Sequence, residues 1–510
     1  MSAHKRVLEL EKQIIALEAE IKVLRESNQF LLNKLYGTKS EKTKVLADQI
    51  SLFNEAEIEA NDKAAEVSLE QVEAHVRRRV GQREELLKNL PHEKQLHTLV
   101  EEERYCLHCN SRLVSVGEEF IRTEIIIIPP QIKVVDIYRE TFQCIPCRNK
   151  ELPHMEKSPV PYPVIQHSMA SASTVAWVMC QKYVNAVPLY RQETDWINMG
   201  VKVSRSTLAN WVILASKNWL QPMVDLMHRK LLEEKYLHAD ETTVQVMKET
   251  GRKNTAKSYM WVYSSSEASN QPIRIFDYKP GRSGEYAQKF LKGFQGYLHC
   301  DAYPGYNRVD GVTLCYCWSH MRRKFVDAIP KGISEAEATI PGQGIQYCNQ
   351  LFEIEKDLQG LGAKDRYQKR LKKAKPILEA FWSWVDQTAN RGILPKSKLG
   401  EAIQYALNQK EGLMNYLLDG NCALSNNLSE NSIRPFTIGR KNWLFSASPA
   451  GADASACVYS IIETAKANGL TPYKYLKFLL TEIPGMRFNE YPELLDDYLP
   501  WNPLVQERCK

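Results

Sequence analysis

The sequence lacks the features that mark several classes of protein. Its 510 residues contain no run of 18 apolar residues, and the best candidate, residues 169–180, is broken by serines, so we expect no transmembrane helix. It has only 12 cysteines and no apolar signal-peptide core, so we expect a cytoplasmic protein with reduced thiols. Glycine and proline, at 24 each, are too few for a collagen-like or disordered chain.

A large excess of positive charge is also missing. The 67 Lys and Arg residues against 61 Asp and Glu residues give a net charge of +6, which is compatible with a nucleic-acid partner but does not indicate one. Hydrophobic residues make up 44% of the chain, as in ordinary globular proteins, and the length suggests about three domains. The function therefore has to be inferred from motifs.

A heptad pattern occupies residues 1–40. Leucine and isoleucine recur at alternating steps of four and three residues: Leu10, Ile14, Leu17, Ile21, Leu24, Leu31 and Leu35. Asn28 occupies the one position of this series, between Leu24 and Leu31, that is not apolar. This pattern favours a parallel coiled coil that would make the protein a homodimer or a higher oligomer. The alternative is an amphipathic helix packed within its own chain.

Residues 41–98 are polar and predict a helical linker with a basic cluster at 77–83. The cluster is either solvated surface or an arm that contacts phosphates.

Residues 99–155 hold two CxxC pairs. Their four thiolates match the ligand set of a tetrahedral structural Zn²⁺ site: Cys106, Cys109, Cys144 and Cys147. The segment between the pairs, residues 122–142, alternates in polarity and turns at Pro129 and Pro130, which favours a β-hairpin that brings the pairs together. The alternative is two unrelated pairs of buried thiols.

Residues 165–230 are predicted to be helical and to contain a helix-turn-helix. Ser204 is the predicted N-cap of its second helix, and three polar residues follow on the exposed face: Arg205, Ser206 and Asn210. Residues at such positions contact bases or phosphates in a recognition helix. Helical hairpins that bind no DNA share this pattern.

From residue 231 the pattern changes to strands. Five strands are predicted, with helices between and after them: 236–246, 258–266, 272–278, 296–303 and 312–318. We interpret the order as β-β-β-α-β-α-β-α, that of an RNase H-like α/β catalytic core, with its first part at residues 231–330.

Asp240 and Asp301 end two similar segments, YLHAD at 236–240 and YLHCD at 297–301. If the two strands are parallel neighbours, their carboxylates converge at one end of the sheet. Adjacent carboxylates stay ionised only with cations between them, and oxygen ligands suit Mg²⁺ or Mn²⁺. Two such ions would activate the attacking oxygen and stabilise the leaving oxygen of a phosphodiester.

Glu430 is the candidate for a third carboxylate. It stands at capping-box spacing from Asn427, which predicts a helix start with Asn427 as the cap. Two structural alternatives are that Glu430 only caps this helix or pairs with Arg434 one turn on. Glu241, on the opposite strand face, and Glu463, in a later helix, are competing acids.

Four long motifs stand in collinear order in the second half of the chain: HADETTVQV (238–246), GYLHCDAYPGYN (296–307), CWSHMRRKF (317–325) and NNLSENSIRPFTIGRKNWLF (426–445). Together with KLYGTKSEK (34–42), the CxxC region and the C-terminal segments YSIIETAKANGLTPYKYL and DDYLPWNP, they resemble the DDE-type transposases of insertion-sequence family 66. The resemblance covers nearly the whole chain.

This resemblance implies that Asp240, Asp301 and Glu430 form the acidic triad that binds Mg²⁺ or Mn²⁺. Water would cut DNA at the transposon ends, and the freed 3′-hydroxyl would attack target DNA without a covalent enzyme intermediate. The partners would be transposon terminal repeats, target DNA and small accessory proteins of the same element. The protein would associate with the bacterial nucleoid when bound to DNA.

Further residues are predicted to contact phosphate or to support the triad: His320, Arg434, Arg440 and Lys441. His320 ends a CxxH motif similar to one in several DDE transposases, and the alternative is a histidine that only starts a helix. His238 and His299, each two residues before an Asp, are predicted to pack behind the acids.

The remaining chain completes a multi-domain α+β protein. Residues 331–420 predict a helical insertion with a basic face at 370–375, residues 421–482 the second part of the core, and residues 483–510 a tail. Two other functions fit the same pattern: an RNase H-like DNA nuclease without strand transfer, and a non-catalytic DNA-binding protein derived from a transposase.

Overall fold

The computed structural model describes residues 92–98, 101, 104, 111–115, 117–123, 130–144, 155–330 and 336–510. The described residues divide into two units, one within residues 92–130 and the other within residues 131–510. Three predicted features lie outside the described residues. They are the coiled coil, the basic cluster at 77–83 and the zinc ligands Cys106, Cys109 and Cys147. No helix in the described ranges has the length and apolarity needed to cross a membrane.

The described part of the chain is a mixed α/β structure. Its α-helices are α1 Ala172–Tyr183, α2 Leu189–Asn198, α3 Arg205–Ala215, α4 Gln221–Leu232, α5 Gly284–Phe290, α6 Trp318–Ala328, α7 Ile340–Asp357, α8 Ala363–Ala389, α9 Lys398–Met414, α10 Asn427–Trp443, α11 Pro449–Ala467, α12 Pro472–Glu482 and α13 Pro503–Cys509. Its strands are β1 Thr141–Gln143, β2 Met155–Lys157, β3 Tyr236–Val246, β4 Lys257–Ser265, β5 Arg274–Lys279, β6 Gly296–Cys300, β7 Val312–Tyr316 and β8 Phe445–Ser446.

The main sheet has the order β5-β4-β3-β6-β7, and β8 adds two residues beside the far end of β3. β3, β4 and β5 pair antiparallel, whereas β3, β6 and β7 pair parallel. All five predicted strands are therefore present. The helix predicted between β6 and β7 is only the 3₁₀ helix Pro304–Arg308, because the short connection between Cys300 and Val312 leaves no room for a full α-helix.

The edge strand β5 is covered by α11. The Ser460 and Thr464 hydroxyls, both fully buried, accept hydrogen bonds from the Phe276 and Arg274 backbone N–H groups at 2.8 and 3.0 Å. The Thr464 hydroxyl donates in turn to the Arg274 carbonyl at 2.9 Å. Side chains of a helix thus take the place of a further strand, and the sheet presents no free edge there.

A second hydrophobic core lies in the predicted insertion. Helices α7, α8 and α9 pack on α6 around fully buried Trp318, Phe325 and Phe381. The prediction of a basic surface at 370–375 is wrong for Arg370, which is 1% exposed. Its guanidinium donates to the Glu355 carboxylate and to two backbone carbonyls, so it is a structural residue. Lys372, Lys373 and Lys375 are exposed.

The predicted β-hairpin at 122–142 is not found in its described part. Residues 130–140 have no regular structure, and Val134, Val135 and Ile137 are 66–86% exposed. Instead β1 pairs antiparallel with β2. Alternating polarity alone therefore overestimates the extent of strand in this segment.

We predict that Thr464→Val, which keeps the shape of the side chain but removes its hydroxyl, lowers the free energy of unfolding by about 1–3 kcal/mol. The loss arises because the Arg274 N–H and carbonyl are left buried without partners. Chemical denaturation of the full chain measures it. Thr481→Val, on the exposed face of α12, is the matched control, and an equal loss in both variants would contradict the role of the edge contact.

Candidate active site

The first two predicted acids stand at matching positions on neighbouring strands. Parallel pairing of β3 and β6 ends at the pair His238–His299, and Asp240 and Asp301 each follow two residues later. The Asp240 carboxylate accepts a hydrogen bond from the Glu241 N–H at 2.9 Å, and Asp301 accepts one from the Tyr303 N–H at 3.0 Å. The parallel register therefore brings both carboxylates together beyond the C-terminal end of β6. Asp240 is in the middle of β3 and not at a strand end as predicted, because β3 continues to Val246 along β4.

The backbone turns sharply after Asp301. Ala302 has a φ of +63°, in the left-handed region that only glycine adopts freely. Strain of this kind at a non-glycine residue is typical of functional sites, where the surrounding structure holds it in place.

Glu430, in the first turn of α10, comes near these two carboxylates because α10 packs on β3. Its Oε1 lies 3.9 Å from the Nδ1 of His320 on α6. Within the described residues, neither of these buried atoms has a hydrogen-bond partner. Together with Cys317, the two side chains place their ligand atoms within 4.8 Å of one another.

The electrostatics of Asp240 reflect this convergence. Burial raises its pKa to about 8, and the negative charges of Glu241, Asp301 and Glu430 contribute to the rise. A site that places carboxylates near one another, leaves the Glu430 Oε1 without a hydrogen-bond donor and disfavours the ionised form of Asp240 fits a hard divalent cation. Asp240, Asp301 and Glu430 are the residues that would hold it.

Glu241 has a different set of partners. Its side chain is 1% exposed, its carboxylate pairs with Arg282, and it accepts a hydrogen bond from the Tyr306 hydroxyl at 2.6 Å. Arg282 also lies 3.6 Å from the Asp301 carboxylate. Arg282 therefore compensates the charge of two acids. No motif includes it, so the sequence carried no signal for this contact.

The other competing acid, Glu463, lies on α11 and pairs with Lys466 at 2.8 Å. Because α11 covers β5, Glu463 stands at the sheet edge away from β6 and β7. It is therefore not a candidate for the third carboxylate.

The predicted capping box is wrong. The N-cap of α10 is Asn426, so Glu430 is the fourth residue of the helix and stands one position beyond the capping-box place. The Asn426 side chain does not cap α10; it donates to the Ala239 carbonyl at 2.8 Å and bonds His238 Nδ1 at 2.9 Å. Glu430 also forms no ion pair with Arg434, which is exposed.

His238 and His299 are stacked behind the acids, with ring centroids 4.4 Å apart, and are 2% and 1% exposed. Burial and the neighbouring His299 keep the pKa of His238 well below its ordinary value, so the ring is neutral.

A second group of possible metal ligands lies nearby. Ligand atoms within 4.8 Å of one another come from His299, Cys315 and Cys422. Both ring nitrogens of His299 are already bonded, to the Leu237 carbonyl and the Ala423 N–H, so this group is packed core.

The basic residues of α10 differ in their surroundings. The half-buried Arg440 donates to the hydroxyls of Thr242 and Thr243 at 3.2 and 3.3 Å, whereas Arg434 and Lys441 are exposed. Arg440 therefore lies beside the strand that carries Asp240.

The predicted helix-turn-helix corresponds to α2 and α3. The turn uses Gly200 at a φ of +90°, and the Ser204 hydroxyl accepts a hydrogen bond from the Thr207 N–H at 3.2 Å, as an N-cap does. Trp196 and Trp211 pack edge to face at 6.1 Å and hold the helices together. Three predicted contact residues of α3 are exposed: Arg205, Ser206 and Asn210.

Comparison with known families gives matches along most of the chain. A model described as "Transposase IS66 family" matches residues 167–454, and one described as "IS66 C-terminal element" matches residues 460–501. A "zinc-finger binding domain of transposase IS66" matches residues 103–148, which include all four predicted thiolates and support structural Zn²⁺. A "Transposase C of IS166 homeodomain" matches residues 23–94.

Similar proteins occur in Sinorhizobium fredii. The uncharacterized protein y4hP is 29% identical, with 96% of this chain and 88% of that protein aligned. The uncharacterized proteins y4qI and y4jD are 27% and 26% identical, with 96% and 97% of this chain and 89% and 96% of those proteins aligned. Because the first family match alone covers more than half of the 510 residues, the chain belongs to the IS66 transposase family.

Proposed function

We propose that this protein is a DDE-type DNA transposase, which cuts DNA at transposon ends and transfers the 3′-hydroxyl to target DNA in metal-dependent steps. The observation that carries the proposal is that Asp301 and Glu430 lie close enough to Asp240 to help raise its pKa, beyond the C-terminal end of β6, in a member of a transposase family. The sheet is assigned as an RNase H-like core, because three antiparallel strands precede two parallel ones in its chain order.

The triad would hold Mg²⁺ or Mn²⁺, as two ions that activate the attacking oxygen and stabilise the leaving oxygen. The protein itself contributes position and charge. Arg434 and Lys441, exposed on the helix that carries Glu430, contact DNA phosphates and keep the strand at the acids. Burial lowers the pKa of His320, so a neutral imidazole stands beside Glu430 and either orients this carboxylate or bonds a phosphate.

The other modules are assigned to DNA and partner binding. Residues 1–40 dimerise the chain through a coiled coil. The zinc module at 99–155 and the helix-turn-helix at 165–230 bind the terminal repeats, with Arg205, Ser206 and Asn210 as contact residues. Accessory proteins of the element complete the assembly, in the cytoplasm at the nucleoid.

The decisive experiment uses Glu430→Gln with labelled transposon-end DNA. We expect nicking and strand transfer to fall at least about 100-fold, because one charged ligand is lost while the shape is kept. DNA binding should persist in a gel-shift assay. Products are resolved on a denaturing gel with Mg²⁺ or Mn²⁺ present.

Glu463→Gln, an acid outside the site, is the matched control for this assay. Nicking without joined products in the wild type would favour a nuclease, and wild-type activity in Glu430→Gln would refute the assignment of the third acid.

A second prediction concerns pH. Because the pKa of Asp240 is raised to about 8, the folded protein keeps a proton that the unfolded chain releases above about pH 4. The metal-free protein therefore loses stability as pH rises from about 4 to 8. Asp240→Asn cannot ionise, so it should unfold at a higher temperature than the wild type in EDTA, with a larger gain at pH 7.5 than at pH 5.5. Equal gains at both pH values would contradict the shifted pKa.

A third prediction tests the recognition helix. Arg205→Ala should weaken binding of transposon-end DNA by about 1–3 kcal/mol, because an exposed guanidinium of α3 is lost without a change in the core. Fluorescence anisotropy at fixed salt measures the affinity. Lys217→Ala removes an equally exposed cation just beyond the C-terminal end of α3, and a matching loss there would show a general charge effect.

A further inference from the structure

Asn426 is linked by hydrogen bonds to the segments that carry Asp240 and Asp301, and it begins the helix that carries Glu430. Its side chain donates from Nδ2 to the carbonyl of Ala239, the residue before Asp240, at 2.8 Å. Its backbone N–H donates to the Cys317 Sγ at 3.1 Å, and the Cys317 N–H bonds the Cys300 carbonyl, just before Asp301, at 3.2 Å. Glu430 follows Asn426 by four residues on α10.

The orientation of the Asn426 amide follows from its partners. The Ala239 carbonyl can only accept, so the amide nitrogen Nδ2 must face it. The amide oxygen Oδ1 then accepts from the Nδ1–H of the neutral His238 ring at 2.9 Å. His238 is held in turn by its stack on His299, whose Nδ1 lies 3.1 Å from the Leu237 carbonyl. Of the standard side chains of this length, only asparagine offers both a donor and an acceptor here.

Asn426 also replaces a missing strand contact. The last β3–β6 pair is His238–His299, and the carbonyl that Asn426 binds is one residue further along β3. Asn426 is 1% exposed, and although it occupies the N-cap position of α10, its side chain makes no capping bond. The side chain therefore forms hydrogen bonds with β3 and does not cap its own helix.

We infer that Asn426 is a positioning residue, which sets the distance of Glu430 from Asp240 and Asp301 and thereby the affinity of the three acids for a divalent cation. The inference rests on the proposed function, because it assumes that these acids bind the cation together. Asn426 acts through the acids and touches neither the DNA nor the ion.

The test measures binding of Mn²⁺ to the full chain by electron paramagnetic resonance, after the zinc content of each variant has been matched. Asn426→Ala should bind Mn²⁺ at least about 10-fold more weakly than the wild type, the scale of losing a partner that orients a metal ligand. Asn427→Ala is the matched control, because this neighbour is exposed and its side-chain oxygen accepts a hydrogen bond from the Ser319 hydroxyl at 3.3 Å, not from β3.

A second variant tests the same role of Asn426 in case Asn426→Ala does not fold. His238→Phe keeps an aromatic ring against His299 but no longer holds the Asn426 amide, so it should weaken Mn²⁺ binding in the same direction by a smaller factor. Because His238 acts through Asn426, the double variant should bind no more weakly than Asn426→Ala alone. Thermal unfolding of the zinc-matched proteins without Mn²⁺ sets a temperature at which every variant is folded, so that a loss of stability alone leaves the Mn²⁺ affinity unchanged.

The outcomes separate the inference from the proposed function. If Glu430→Gln weakens Mn²⁺ binding but Asn426→Ala and His238→Phe do not, the positioning role is wrong and the triad stands. If Glu430→Gln has no effect either, the cation site itself is wrongly assigned.

Discussion

The burial of Asp240 beside other carboxylates is the constraint on which this part of the sheet depends. Parallel strands β3 and β6 bring Asp240 and Asp301 together, and burial, with the charges of Glu241, Asp301 and Glu430, disfavours the ionised form of Asp240. Arg282 balances Glu241 and lies near Asp301, but Asp240 and Glu430 have no comparable cation among the described residues. The structure therefore concentrates negative charge that only the proton on Asp240 or a bound cation can relieve.

Holding these charges together requires a rigid support on every side. β3 pairs with β4 and β6, the edge of β5 is closed by Ser460 and Thr464, and α10 is joined to β3 through Asn426. Each of these contacts satisfies backbone groups that would otherwise be buried without partners. Hydrogen bonds outside the acid cluster therefore stabilise the fold that keeps the acids close together.

The helical insertion contributes to the same support. The Trp318 indole N–H donates to the Leu413 carbonyl at 2.8 Å, and the Asn415 amide donates to the Leu314 carbonyl at 2.9 Å. These bonds tie α9 and the turn after it to the start of α6 and to β7. Since α6 presents His320 to Glu430, the insertion stabilises one wall of the candidate site.

Local pattern alone determined much of this architecture. Alternating polarity predicted β3 at 236–246, and the repeated YLHAD and YLHCD segments drew attention to Asp240 and Asp301 as candidate acids, because strand periodicity is a property of neighbouring residues. Ser204 was recognisable as an N-cap for the same reason. The motifs of the second half also sufficed to indicate the family.

Tertiary structure decided the rest. Asn426 turns away from its helix to bond Ala239, 187 residues earlier in the chain, and Arg370 is buried against Glu355 although its lysine neighbours are exposed. Arg282 reaches two acids from a loop that belongs to no motif. Such contacts depend on which polar groups remain unsatisfied once distant segments pack together, and no local spacing in the sequence records that.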